Sequence, residues 1–205
     1  MPRLGRPRAK GPSTSGLTTE QDILRAAAQL FCEVGYGSTS TYAIAQAAGI
    51  SQATMYHYFP GKHAILLALL MDTVQPSVEL ATSLVTGAGA DDPPQARLRR
   101  LCEYDVRLLV EGEHNLGSLY LLPELGDERF APFHAERERL YAAYRDLVAD
   151  VAGVDPGGAD ALASLVFGLV ESVILRRRRE GELAADTPEF IADAALRLVG
   201  AGRRD

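Results

Sequence analysis

Along this chain the apolar positions fall at helical steps. From Thr19 they run Ile23, Ala26, Ala27, Leu30, Phe31 and Val34, three or four residues apart, which is the period of a one-sided helix. Thr19, with Asp22 three residues on, resembles a capping box, and Gly35 supplies the stop. A short helix from Thr41 to Ala48 is broken by Gly49. Ser51 is an N-cap for a second short helix, Gln52 to Tyr58, and Pro60-Gly61 interrupts again. A longer helix follows from Lys62 to about Val85, with Pro76 as its bend point, and residues 87–94 form a loop. Further helices are expected over Gln95–Glu111, Gly117–Leu122, Pro132–Val151, Ala159–Arg179 and Pro188–Val199. No stretch alternates with period two, so no sheet is expected. The fold class is all-α, with about nine helices joined by loops of ordinary length.

Composition refines this picture in three ways. There is no unbroken run of eighteen apolar residues, so no membrane span or membrane partner is expected. The basic N-terminus is followed by Gly, Pro, Ser and Thr, not by an apolar signal-peptide segment. Cys32 and Cys102 each sit in an apolar helical pattern and read as small hydrophobes in a reducing, cytoplasmic compartment. The formal net charge of −6 is unevenly placed. Residues 1–65 hold six basic and three acidic side chains, leaving fifteen basic and twenty-four acidic in the remainder. A positive segment on an acidic body suits a protein that touches a polyanion at one end.

The segment Thr41 to Leu66 is the most informative. Ile44 and Ala48 face inward, Ala45 is small where two helices cross, and Gly49 stands where the turn needs positive φ. Ile50 then plugs the gap, and Met55 anchors the second helix, with Tyr58 and Phe59 leaning the same way. These are the demands of a tight helix-turn-helix. With Met55 inward, Gln52, Ala53, Thr54, Tyr56 and His57 are outward or flanking, with no acidic residue among them. Gln pairs with adenine, Thr meets a thymine methyl or a base edge, and Ala lets the backbone approach. Tyr56, His57 and Lys62 carry donors for phosphates. The other reading of this face is a solvated surface in a protein–protein adaptor.

These residues resemble the DNA-binding domain of the tetracycline-repressor (TetR) family. The likeness is carried by Phe31, Gly35, Thr41, Ile44, Ala45, Ala48, Gly49, Ser51, Tyr56, Tyr58, Phe59 and Lys62, over about residues 19–70. It implies that Thr41 and Tyr42 meet phosphates, that Gln52, Ala53 and Thr54 face bases, and that Tyr56, His57 and Lys62 clamp the backbone. His63 stands where the family often has an acidic residue. The expected organisation is a flexible basic arm over 1–16, a three-helix DNA-binding domain over 17–66, and an effector-binding and dimerisation bundle over 67–205. In the arm, Arg6 and Arg8 flank Pro7 and either enter a narrow minor groove or belong to a solubilising tail.

Beyond residue 75 no motif stands alone. The 159–175 stretch is apolar almost all round, so it is buried on every side. Part of its surface then meets its own bundle and part a second copy. Leu162, Leu165, Val166, Leu169 and Val173, with Ile191, Ala195 and Leu198 of the last helix, are the interface candidates. The alternative is a central helix of a monomer. Asp105 lies on an apolar stripe and Glu171 inside an apolar run, where carboxylates are costly unless paired. They either line an effector cavity walled by Tyr104, Leu108, Tyr120, Phe133, Tyr144 and Phe167, or pair with Arg107, Arg137 or Arg145. An open acidic cavity favours a small lipophilic effector carrying a cation or hydrogen-bond donors, and carboxylates satisfied by arginines would admit a neutral or anionic one.

No nucleophile elbow, metalloprotease signature, phosphate loop or dinucleotide fingerprint is present. The four histidines show no metal-ligand spacing. The expectation is a regulator and not an enzyme, without metal or cofactor. Its partners would be a partly palindromic double-stranded operator, a second copy of itself and a small effector.

Overall fold

The first helices each begin at a side chain that satisfies their leading amides. In the computed structural model, which describes residues 16–87 and 90–201, α1 (Thr19–Glu33) is capped by Thr18. The Thr18 hydroxyl accepts from the Gln21 N–H at 3.2 Å, and the Gln21 side chain accepts from the Thr18 N–H at 3.0 Å. The capping box therefore starts one residue before Thr19, because Gln21, unlike the shorter Asp22, is the side chain that reaches back. Ser40 caps α2 (Thr41–Ala47) at the Ala43 N–H, and Ser51 caps α3 (Gln52–Tyr58) at the Thr54 N–H.

The chain divides by its internal packing into Met1–Leu70 and Met71–Asp205. That division and the 66/67 boundary expected from sequence both fall inside one helix, α4 (Lys62–Thr86), which contains Pro76. The first unit holds α1 to α3 and the start of α4 around Ile23, Ala27, Phe31, Ile44, Met55, Ile65 and Leu66. Between α2 and α3, Gly49 adopts φ +69°, and the Ile50 N–H returns to the Ala45 carbonyl at 3.0 Å. Ile50 and Ala45 are both buried.

The second unit is the rest of α4 with α5 (Pro94–Val110), α6 (Ala131–Ala152), α7 (Pro156–Glu180) and α8 (Thr187–Ala201). Its most extensive packing is α6 on α7 and α5 on α8. The helix expected at Gly117–Leu122 is instead a 3₁₀ segment, Leu116–Leu121, followed by 3₁₀ turns Pro123–Gly126 and Glu128–Phe130. Pro123 and short spacing leave no room for a full α-helix. Gly117 packs so closely on Ile174 that a Cβ would lie 2.7 Å from Ile174 Cγ1. Arg97, buried, bonds the Leu84 and Asp92 carbonyls and Asp150 at 2.8 Å, tying α4, α5 and α6. Among the described residues there is no strand.

Gly49 tests the turn. Open space surrounds the position a Cβ would take, so a substitution there meets only backbone strain. Gly49→Ala is expected to lower stability by about 1–2 kcal/mol, the cost of holding an L-residue in the left-handed region. Gly49→Asn should cost less, and urea titration of the two variants compares them. Equal losses would point to packing and not to φ.

Candidate DNA-reading face and effector site

Burial of Met55 sets the orientation of α3, leaving Gln52, Ala53, Tyr56 and His57 exposed and Thr54 half-buried. Tyr58 does not follow Met55 inward: it is 43% exposed, while Phe59, just past the helix end in extended backbone, is buried. The change of backbone after Tyr58 turns Phe59 to the core and leaves the phenol outside, edge-on to His57 at 5.5 Å.

The polar side chains of this face are tied to one another. Gln52 Nε2 donates to Thr41 Oγ1 at 3.1 Å, and Thr41 Oγ1 and Tyr56 Oη lie 3.1 Å apart. Thr54 Oγ1 and the capping Ser51 Oγ are 2.8 Å apart. The start of α2 and the outer face of α3 therefore form one polar surface, with Tyr42 beside it at 62% exposure. Lys62 has a different environment from that expected. Its Nζ donates to the Tyr36 carbonyl at 2.8 Å and the Gly37 carbonyl at 3.4 Å, over the Tyr36 ring at 4.3 Å from the centroid. It ties the start of α4 to the α1–α2 loop. Tyr36, a residue the sequence pattern did not single out, is its cradle. Arg6 and Arg8 lie outside the described residues.

In the second unit a polar cluster lies inside the bundle. Asp105 is 4% exposed, and its carboxylate accepts from Ser77 Oγ of α4 at 3.0 Å and from Tyr144 Oη of α6 at 3.1 Å. Burial pushes its carboxyl up to about 6, against the hydrogen bonds from Ser77 and Tyr144. Thr73, one turn before Ser77, shares a 2.7 Å bond with Tyr120 Oη. Glu171 is paired with Arg137, among the three arginines weighed from sequence. The Arg137 guanidinium also lies against Tyr120, Phe133 and Phe167. Thr73 and Ser77 were missed, although two buried hydroxyls four residues apart in an apolar helix are a legible signal. Cys102 is fully buried, and burial pushes its thiol well up, so it is a poor nucleophile.

Within two groups of expected residues, some lie where the expected role does not fit. Tyr104 is 39% exposed on the outer side of α5, one residue and about 100° from Asp105, so it does not wall an interior site. Leu108 is half-buried. An open groove of about 800 Å³ lies elsewhere, between Arg107, Glu111, Asn115, Arg177, Glu182 and Pro188, and contains none of the expected pocket residues. Of the interface candidates, Val166, Val173, Ile191 and Ala195 are buried within their own bundle and are unavailable to a second copy. Leu162, Leu169 and Leu198 are half-buried, and Leu165 is 58% exposed. The outward apolar surface instead includes Leu165 and Leu175 of α7 and Phe190 of α8. By length and composition α4 and α7 are each apolar enough to cross a membrane, so the lack of an unbroken apolar run in the sequence does not decide that point. Among the described residues no group of three or more His, Cys, Asp or Glu side chains is placed to hold a metal ion.

An N-terminal helix-turn-helix with a separate helical body is the architecture of a class of bacterial regulators, and the comparisons agree. Residues 23–69 match the family model of bacterial regulatory proteins, tetR family. The crystal structure of Mycobacterium smegmatis AmtR is 45% identical, covers 92% of this chain and 89% of its own, and superposes with a TM-score of 0.82. AibR, solved in complex with isovaleryl coenzyme A and operator DNA, is 25% identical over 87% of this chain and 96% of its own, with a TM-score of 0.64. The uncharacterized HTH-type transcriptional regulator YuxN of Bacillus subtilis is 45% identical over 51 residues, 25% of this chain and 18% of YuxN. The chain spans between 18% and 30% of the length of the curated relatives it matches. This protein belongs to the TetR family of transcriptional regulators.

The environment of Asp105 gives a pH test. Between about pH 4 and 6 the unfolded carboxyl is ionised while the folded one holds its proton, so rising pH costs the folded state across that window and no further above it. Asp105→Asn keeps the shape and removes the charge. Relative to wild type its stability should rise by up to about 3 kcal/mol between pH 4 and 7. Urea denaturation at a series of pH values checks this. A constant difference between the two proteins across that range would refute the raised pKa.

Proposed function

We propose that this protein is a ligand-responsive transcriptional repressor that binds a partly palindromic operator as a homodimer in the cytoplasm and leaves it when a small lipophilic effector binds the second unit. The observation that carries this reading is the acid-free outer face of α3, presented by the Gly49 turn and knotted to Thr41 of α2. AibR, a structural relative, is described with both an acyl coenzyme A and operator DNA. In this reading Thr41 and Tyr42 meet phosphates, Gln52, Ala53 and Thr54 meet base edges, and Tyr56 and His57 hold the backbone. Arg6 and Arg8, outside the described residues, either reach the minor groove or belong to a solubilising tail. Lys62 acts from behind this face, through the α1–α2 loop, rather than as a free phosphate clamp. No reaction is assigned to the protein and no cofactor or metal is invoked.

The second unit supplies effector recognition and dimerisation. A dimer places two recognition helices on half-sites one helical turn apart, which is why the operator is expected to be partly palindromic. The exposed apolar residues of α7 and α8 suit a second copy of the same surface.

DNA binding is tested by fluorescence anisotropy on operator-bearing and scrambled duplexes. Gln52→Ala and Thr54→Ala should each reduce discrimination between them by about 1–3 kcal/mol. Lys62→Ala should weaken both duplexes alike and also lower the melting temperature, because the Tyr36 and Gly37 carbonyls lose their donor. A chain that binds neither duplex, with or without its first 70 residues, would instead be the helical adaptor.

Assembly is tested by sedimentation. Leu165→Asp and Phe190→Asp should yield folded monomers, since both side chains face outward. Val173→Asp should give unfolded protein, because it places a charge inside one subunit. Wild-type protein that sediments as a monomer at micromolar concentration would overturn the dimer.

A further inference from the structure

Arg137 occupies a site whose chemistry is that of a cation receptor. Its guanidinium carbon lies 4.8 Å from the centroid of Tyr120, 5.5 Å from Phe167 and 5.8 Å from Phe133. One of its N–H groups donates to Glu171. Ring faces and a carboxylate are the groups that select organic cations. The buried Asp105, bonded to Ser77 and Tyr144, feels the charge of both members of the pair, so the cluster holds two carboxyl groups and one guanidinium. That balance favours a cation and opposes an anion. The pair is not sealed: the side chains of Arg137 and Glu171 remain 25% and 26% exposed. The arginine therefore has a way out to solvent that does not cross the core.

The geometry points to a self-occupied ligand site: the box of Tyr120, Phe133, Phe167 and Glu171 recognises a planar organic cation, a guanidinium or amidinium on an apolar stem, which binds by displacing Arg137. The inference rests on the ligand-responsive reading above and names the ligand class for it. Planarity follows from the occupant. A guanidinium presents a flat fork of donors to a carboxylate and stacks on rings, whereas an ammonium does neither. Arg137 is then a built-in competitor. It multiplies the ligand's affinity by the fraction of time the box is open, and so weakens it.

This arrangement makes an unusual demand, that deleting a native arginine improves binding. The probe is phenylguanidinium, titrated by calorimetry into the full chain as wild type, Arg137→Ala and Arg137→Gln. Both variants should bind it about tenfold or more tightly than wild type, as expected if the box is open a tenth of the time or less. Glu171→Gln should abolish binding, and phenylurea, the neutral planar analogue, should not bind. An Arg137 that only stabilises the fold predicts the reverse, equal or weaker binding in both variants, and that result overturns the proposal. Equal binding of phenylurea overturns it too. Operator binding measured in parallel separates the two readings. Persistent operator binding with no phenylguanidinium response removes the cation site alone. The expected phenylguanidinium pattern in a chain that binds no duplex supports the site and removes the regulator.

Discussion

A seven-residue helix has no stability of its own in water, because nucleation costs more than so few hydrogen bonds return. The outer face of α3 therefore exists only through what its inner face touches. Met55 is fully buried, Ile50 and Phe59 close the two ends, and Ser51 satisfies the first turn. Everything proposed for DNA recognition depends on that burial. The rotation of α3 is fixed by a thioether and an isoleucine, and the amide, methyl and hydroxyl of Gln52, Ala53 and Thr54 are left outward as a consequence. Lys62 strengthens the same frame from the other side by holding the carbonyls of Tyr36 and Gly37.

The second unit solves a different problem, that of charge inside an apolar bundle. Arg97 is surrounded by carbonyls and Asp150 and ties helices together. Asp105 is held by two hydroxyls, which stabilise a carboxylate less than a cation does, and its raised pKa is the result. Arg137 and Glu171 pair at the border of the same cluster, partly in solvent. A bundle that needed only stability would do as well with apolar side chains at these positions. The retained polar groups, close to four aromatic rings, are what a site for a small molecule requires.

How far the sequence alone reached depended on whether a feature was local. Helix positions, the Gly49 turn and the inward place of Met55 are set by spacing within a few residues, and all were legible. Tyr58 was not, because it is the last residue of α3, about 60° round from Met55, and the extended Phe59 after it takes the place in the core. The 3₁₀ character of Leu116–Leu121 was hidden for a similar reason, since one short apolar run fits either helix type. Non-local facts stayed open. The pattern of α7 shows apolar residues all round but cannot say which side meets α5 and α6. Val166 and Val173 were thus grouped with Leu165, although the two valines are fully buried and Leu165 is 58% exposed. Glu171 had three candidate arginines, and only the fold places Arg137 against it.

The polar cluster of the second unit is anchored to α4 at two points. Thr73 and Ser77 lie one turn apart on the same face of that helix and hold Tyr120 and Asp105 respectively. Tyr120 is a wall of the Arg137 box, and Asp105 is the carboxylate behind it. In the proposed exchange one cation replaces another, so the charge in the box is kept and the ring contacts of Tyr120 change, and Tyr120 is bonded to Thr73 of α4. Pro76 lies between them and removes one backbone bond from the helix, making this turn the easiest place for α4 to bend. The same helix runs without a break from Lys62, whose ammonium holds the loop before α2. The ligand shifts the balance between two arrangements of α4 only by as much as its affinity for them differs.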